Sequence, residues 1–289
     1  VCVVTGVAGS GKSSLISGVF AEQYADRAIR IDQAPITATG RSTPASFLGF
    51  FDEIRRMFAK ENAVSDGLFS YNSTGACPAC AGKGVQVTEL VYMDPIVTEC
   101  EVCGGSRYSQ EALSYTCKGK NILEVLSMTA AEAGEFFKEP KIAKGVRALC
   151  QVGLSYLTLG QPLSTLSGGE RQRIKLAKHL GKKGNIYILD EPTTGLHPSD
   201  SDRLMALFDS FAAKGNTVLI IEHNLDVMKQ ADYLIDVGPD GGKFGGEVVF
   251  AGTPAEMIAS SDTITATCLR AAVEGRVLSD TERDELTFA

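Results

Sequence analysis

Residues Gly6 to Ser13 read Gly-Val-Ala-Gly-Ser-Gly-Lys-Ser and stand between an apolar run, Val1 to Val4, and a helical stretch that starts near Ser14. A loop of this composition needs a strand to deliver it and a helix to begin at its last residues. The glycines Gly6, Gly9 and Gly11 let backbone N–H groups turn toward phosphate oxygens, and the helix N-terminus adds partial positive charge. Lys12 would then reach the β and γ oxygens, and Ser13 would ligate Mg²⁺, with Ser10 and Ser14 among the nucleotide contacts. The fold class that follows is α/β, with ligand bound at the carboxyl edge of a sheet.

The stretch Ile186-Tyr187-Ile188-Leu189-Asp190-Glu191 has the pattern of a short buried strand ending in two carboxylates. Read alone, paired acids after a strand are most often a solvated turn. With Lys12 and Ser13 in the same chain, Asp190 becomes a second Mg²⁺ ligand, and Glu191 the group that orients or deprotonates an attacking water. Gln33 follows the β-like Ala28 to Asp32, and His223 follows Thr217 to Glu222, so both are expected at the same sheet edge. A lone His in such a place is commonly a structural group. Together the motifs read as an ATP hydrolase.

The two halves of this constellation are further apart in sequence than a compact sheet requires, so the middle of the chain is an insertion. The expected nucleotide-binding domain is split over 1–33 and 180–262. An inserted region spans 34–179, with a cysteine module at 71–117 inside it, and 263–289 form a polar tail with some helical pattern. Helical patterns appear at Pro44 to Lys60, Ile122 to Leu126, Ala130 to Phe137, Lys141 to Val152 and Gly169 to Leu180. Thr129 with Glu132 has the spacing of a capping box.

Four of the eight cysteines form Cys77-Pro78-Ala79-Cys80 and Cys100-Glu101-Val102-Cys103. This is the spacing of a structural Cys₄ zinc site, with glycines after each knuckle that allow N–H groups to face thiolates. Zn²⁺ would stand in for a hydrophobic core in so small a module. Two disulfides are the alternative, and they need an oxidising compartment that nothing else here suggests. Cys2, Cys117, Cys150 and Cys268 have no paired spacing and read as packed thiols.

The 289 residues carry a net charge of -7, which argues against attraction of nucleic acid by the whole surface. Arg171, Arg173, Lys175, Lys178, Lys182 and Lys183 form the best basic cluster, readable either as a solvated helix face or as a phosphate track. No apolar run approaches a membrane span, and no signal peptide is present, so the expected location is cytoplasmic with no membrane partner. The chain starts at Val1 inside its first expected strand. It therefore reads as a piece of a longer polypeptide, without the preceding strands that usually bring an aromatic to stack on adenine.

Leu166-Ser167-Gly168-Gly169-Glu170, lying between the glycine loop and the acidic pair, resembles the signature of ABC-type ATPase cassettes. That resemblance implies Q-loop and switch roles for Gln33 and His223. It also implies that Ser167, Gly168 and Gly169 contact ATP held by an opposite cassette, in a head-to-tail dimer or tandem pair. Taken with Asp32-Gln33-Ala34-Pro35-Ile36, the paired knuckles, Tyr71-Asn72, Lys118-Gly119-Lys120-Asn121-Ile122, Leu189 to His197 and Glu222-His223-Asn224-Leu225-Asp226, the chain resembles the C-terminal half of the UvrA family over about residues 1 to 258. The family implies a dimerising two-cassette protein that surveys duplex DNA for damage in nucleotide excision repair. It implies an excinuclease partner that docks on the other half.

Lys83, Arg107, Lys118 and Lys120 are outweighed in the cysteine region by Glu89, Asp94, Glu99, Glu101 and Glu111, whereas DNA affinity rests on phosphate neutralisation. Two alternatives therefore stand beside repair: a UvrA-like paralogue for resistance to DNA-binding antibiotics, and an ATPase switch that docks proteins through its zinc module.

Overall fold

In a computed structural model, residues 1–36, 41–90, 93–181 and 183–278 are described. They form two compact units, one of Val1–Ala34 with the chain from Gly168 onward and the other of Pro35–Ser167.

The first unit is built on a six-stranded sheet. Its strands are β1 (Cys2–Gly6), β2 (Ala28–Ile31), β3 (Ile186–Asp190), β4 (Thr217–Ile221), β5 (Tyr233–Gly238) and β6 (Glu247–Gly252), in the spatial order β6-β5-β1-β4-β3-β2. All neighbours are parallel except β6, which runs antiparallel to β5 at one edge. Apolar residues at consecutive positions, such as Val3 with Val4 and Ile186 to Leu189, are buried, as expected of strands covered on both faces. On one face Val4, Ile188, Leu219, Ile221 and Val237 pack against Ile16 and Ala21 of the helical segment that follows the glycine loop. That segment begins as a π-helix, Ser14–Phe20, and passes into a short turn, Ala21–Gln23.

The helix Gly168–His179 belongs to this sheet unit rather than to the insertion, so the boundary expected at 180 falls at 168. The reason is polar. Gln172, buried within the helix, donates from Nε2 to Ile31 O at 2.9 Å and to Asp190 O at 2.8 Å, tying it to the ends of β2 and β3. The tail expected from 263 likewise opens with a helix, Ile264–Glu274, whose Ala266, Leu269 and Ala271 are buried. The rest of that tail, 279–289, lies outside the described residues.

The second unit is helical around its cysteine module. The helix expected over Pro44 to Lys60 is broken into Pro44–Phe47 and Phe51–Asn62. Gly49 takes φ +78 between them, a conformation that glycine adopts without steric cost, and this turns the buried Phe50 inward. Its ring fills the space beside Gly145 in the helix Pro140–Gln151, where an added Cβ would stand 2.2 Å from Phe50 Cδ1. The Thr129 capping box forms as expected: Thr129 Oγ1 accepts from Glu132 N at 3.2 Å, and Glu132 accepts from Thr129 N at 2.8 Å. Asn121 with Glu124 and Thr43 with Ser46 make two further boxes in this unit.

Candidate functional site

The loop after β1 starts at a residue whose neighbour leaves no room for a side chain. Gly6 has φ +131, and a Cβ there would stand 1.9 Å from Val237 O on β5. A second glycine loop, between β5 and β6, braces the first: Gly242 N donates to Gly9 O at 3.1 Å and Gly246 N to Ser10 O at 2.9 Å. Residues Gly238 to Gly246 read in sequence as a glycine-rich turn. Lys12 is buried, and its Nζ donates to Gly6 O at 2.9 Å and Val7 O at 2.7 Å inside the loop. Burial pulls its ammonium below the ordinary lysine value, while the charges of Asp236, Asp190 and Glu191 oppose that shift. Ser13 stands at the helix entry with αR backbone angles, and its hydroxyl makes no capping bond.

Asp190 ends β3, half-buried. Burial pushes its carboxyl above the ordinary range, Glu191 adds to the shift, and His223 and Lys12 oppose it. Glu191 turns off the strand with φ +46, a left-handed conformation that costs about 1–3 kcal/mol for a residue other than glycine and is commonly found at functional sites. Several bonds hold it there. Its N–H donates to Ile221 O at 2.9 Å, Gln33 Nε2 donates to its carbonyl at 3.4 Å, and Thr194 Oγ1 donates to its Oε2 at 3.3 Å. Its other oxygen lies 4.0 Å from His223 Nε2, and both side chains are about half exposed.

Lys12, Asp190, Glu191, Gln33 and His223 thus share one edge of the sheet, where the ends of β1, β2, β3 and β4 meet. Gly168 is beside them: an added Cβ would be 2.7 Å from Gln33 Oε1, and one on Gly169 would be 3.1 Å from Thr194 O. Ser167 is the last residue of the other unit. Sequence reasoning missed the acids behind this edge. Asp236 on β5 is buried and accepts from Thr265 Oγ1 at 3.0 Å, and Glu222 is buried at the end of β4. The signal for Glu222 was an acid just past an apolar strand, and for Asp236 an acid within one.

Neither reading of the basic cluster fits its members uniformly. Arg173 is buried, and Lys175 Nζ donates to Asp32 Oδ1 at 2.5 Å and to Ala34 O at 2.9 Å, fastening the segment that carries Gln33. Lys182 lies outside the described residues.

In the second unit the sulfur atoms of Cys77, Cys80, Cys100 and Cys103 all lie within 4.8 Å of one another. Cys80 Sγ and Cys103 Sγ are 3.7 Å apart, against about 3.8 Å for the edge of a tetrahedron with Zn–S bonds of about 2.3 Å. The eight cysteines are thiols rather than disulfides. Gly84 N donates to Cys80 Sγ at 3.2 Å, as the glycines after each knuckle led us to expect. Burial would raise the Cys80 thiol, but Gly84 N–H and the facing thiols outweigh it and lower its pKa to about 7. Of the unpaired cysteines, Cys117 is buried, whereas Cys150 is exposed rather than packed.

The sequence profile described as ABC transporter matches residues 1–194. UvrABC system protein A of Streptococcus mutans is 45% identical over 299 residues, covering 92% of this chain and 32% of that protein. The protein of the same name from Lactiplantibacillus plantarum is 46% identical over 304 residues, 94% of this chain and 32% of the relative. The crystal structure of UvrA2 from Deinococcus radiodurans aligns with a TM-score of 0.87 and 42% identity, over 94% of this chain and 37% of that chain. The chain therefore spans about a third of the length of the curated relatives it matches.

Proposed function

This chain belongs to the ABC family of ATP-binding cassettes and is UvrA-like within it, and on that premise we propose that it hydrolyses ATP and uses the cycle to control a grip on DNA. Glu191 orients the water that attacks the γ-phosphorus and takes its proton as the bond to the bridging oxygen breaks, releasing ADP and phosphate. Lys12 neutralises charge on the β and γ oxygens, and His223, 4.0 Å from Glu191, contacts the γ-phosphate. Gln33 links that edge to the helix behind Gly168. Ser13 and Asp190 are the residues that would hold Mg²⁺, which supplies further neutralisation of phosphate charge. Ser167, Gly168 and Gly169 complete the site of a second cassette, so full turnover belongs to a head-to-tail pair: the other half of a longer chain, a second copy, or both.

The four thiols would hold Zn²⁺, which supplies the fold of the cysteine module. The observation that carries the repair reading is this Cys₄ cluster inside an ATP-binding cassette, in a chain that aligns along 92% of its length with UvrABC system protein A. The role that follows is recognition of damaged double-stranded DNA through its deformability, in the cytoplasm, with an excinuclease subunit recruited elsewhere in the longer protein. The charge of the cysteine region favours a second reading, a paralogue acting in resistance to DNA-binding antibiotics. Fluorescence anisotropy with intact and lesion-bearing duplexes at fixed salt, with and without ATP, separates the two. Tighter, nucleotide-sensitive binding to the lesion is expected for repair, and equal affinity for both duplexes sinks it.

A further inference from the structure

Glu222 is the last residue before His223 and is only 4% exposed. Its backbone is fixed by the sheet, Glu222 N donating to Val4 O at 3.1 Å. Its carboxylate then receives four donors. Oε1 accepts from Thr193 N at 3.1 Å and from the Thr193 hydroxyl, and Oε2 accepts from His223 N at 2.9 Å and Asn224 N at 3.1 Å. Asn224 Nδ2 closes the ring by donating to Thr193 Oγ1 at 3.4 Å. Thr193 lies two residues after Glu191, in the turn that holds Glu191 in its left-handed conformation.

We propose that Glu222 is a positioning residue that sets Glu191 and His223 in register, one carboxylate oxygen holding each loop. Only a carboxylate serves here, because an ionised Glu is all acceptor and every group facing it is a donor. An amide of the same shape would set its NH₂ against either the Thr193 pair or the two backbone N–H groups of the switch loop, and one loop would be released. Glu222 need not touch nucleotide. The consequence for turnover rests on the hydrolase reading above, while the bridge itself does not.

Glu222→Gln in the whole chain tests both, beside wild type. Amide hydrogen exchange reads the bridge without ATP: the Thr193, His223 and Asn224 amides are protected in wild type, and at least one loop's amides exchange about tenfold or more faster in the variant. Steady-state hydrolysis reads the consequence. We expect kcat to fall about 10- to 100-fold while KM for ATP stays within about twofold, the signature of a group acting on the transition state rather than on binding. Unchanged amide protection overturns the bridge. Wild-type kcat with released amides overturns the positioning role, as does a rise in KM that accounts for the whole loss. A wild type with protected amides and no turnover even when paired with a second cassette would sink the hydrolase reading, and the variant's amides would still decide the bridge. Should E222Q fail to fold, Thr193→Val removes the hydroxyl that donates to Oε1 and accepts from Asn224 Nδ2, and leaves the three backbone donors to Glu222 in place. It should lower kcat by a smaller factor at constant KM, and full wild-type kcat there also overturns the role.

Discussion

The nucleotide edge and the cysteine cluster are two sites made in opposite ways. The first draws Lys12, Gln33, Asp190, Glu191 and His223 from four strand ends, and what holds them in place is a sheet buried on both faces. The second is local. Its four thiols come from two knuckles, and the buried cluster there consists of the cysteines themselves, Cys77, Cys80 and Cys100 with Cys103 beside them. A site carried by a sheet keeps its geometry without ligand, because burial of Val3, Val4, Ile188 and Ile220 does not depend on ATP. A site whose core is sulfur has no such reserve.

The largest effect should come from chemistry at the sheet edge. Glu191→Gln keeps shape and removes the proposed base, so kcat should fall about 10²- to 10⁴-fold, with ATP binding and protein stability unchanged. Stopped-flow nucleotide binding beside phosphate release checks this, and turnover near wild type would remove Glu191 from its role. Next is Cys80→Ser, which should abolish bound metal in native mass spectrometry and expose the 71–117 module to protease. ATP binding should survive. Simultaneous loss of nucleotide binding would break the contrast between the two sites, since it would mean that the sheet unit depends on the metal after all.

What the sequence made legible follows the same division. Motifs that act through spacing were readable: the glycine loop, the acid pair after an apolar run and the two knuckles each specify geometry over a few residues. Contacts that arise only when distant segments meet were not. Glu222, just past one strand, and Asp236, within another, look like ordinary acids until the fold buries them, and Gln172 reaches Ile31 across 141 positions of chain. That bond is also why the helix from Gly168 joins the sheet unit when its position beside the insertion suggested otherwise. Gly49, by contrast, was a visible breaker inside a helical pattern. The apolar periodicity of Pro44 to Lys60 runs across it, but the first helix ends before Gly49 and a second begins after it.

A smaller effect distinguishes metal from helix packing inside the second unit. Gly145→Ala drives a methyl into the buried Phe50 ring, and overpacking of this kind costs about 1–3 kcal/mol. The thermal midpoint of this unit should drop while the metal content stays at the wild-type level. A loss of zinc in this variant would show that the helical core and the cysteine module unfold together, which would sharpen the comparison by making the metal a reporter of the whole unit.

The smallest effect lies in the segment that carries Gln33. Lys175 donates to Asp32 at 2.5 Å, and that hydrogen bond, against an opposing effect of burial, holds the Asp32 carboxyl below the ordinary aspartate value. A carboxyl lowered in the folded state adds stability that is present above its unfolded pKa and is lost as pH falls through the folded one. The Asp32 side chain is 61% exposed, so solvent and salt screen the pair and its worth is at most about 1 kcal/mol. Asp32→Asn should therefore lower stability slightly at neutral pH and match wild type once pH is well below the ordinary aspartate value, with the difference shrinking in high salt. Denaturant midpoints across that range measure it. A constant gap at all pH values would mean that Lys175 holds the segment through the carbonyls of Asp32 and Ala34, to which it also donates at 3.1 and 2.9 Å, and that the charge of Asp32 is incidental to the position of Gln33.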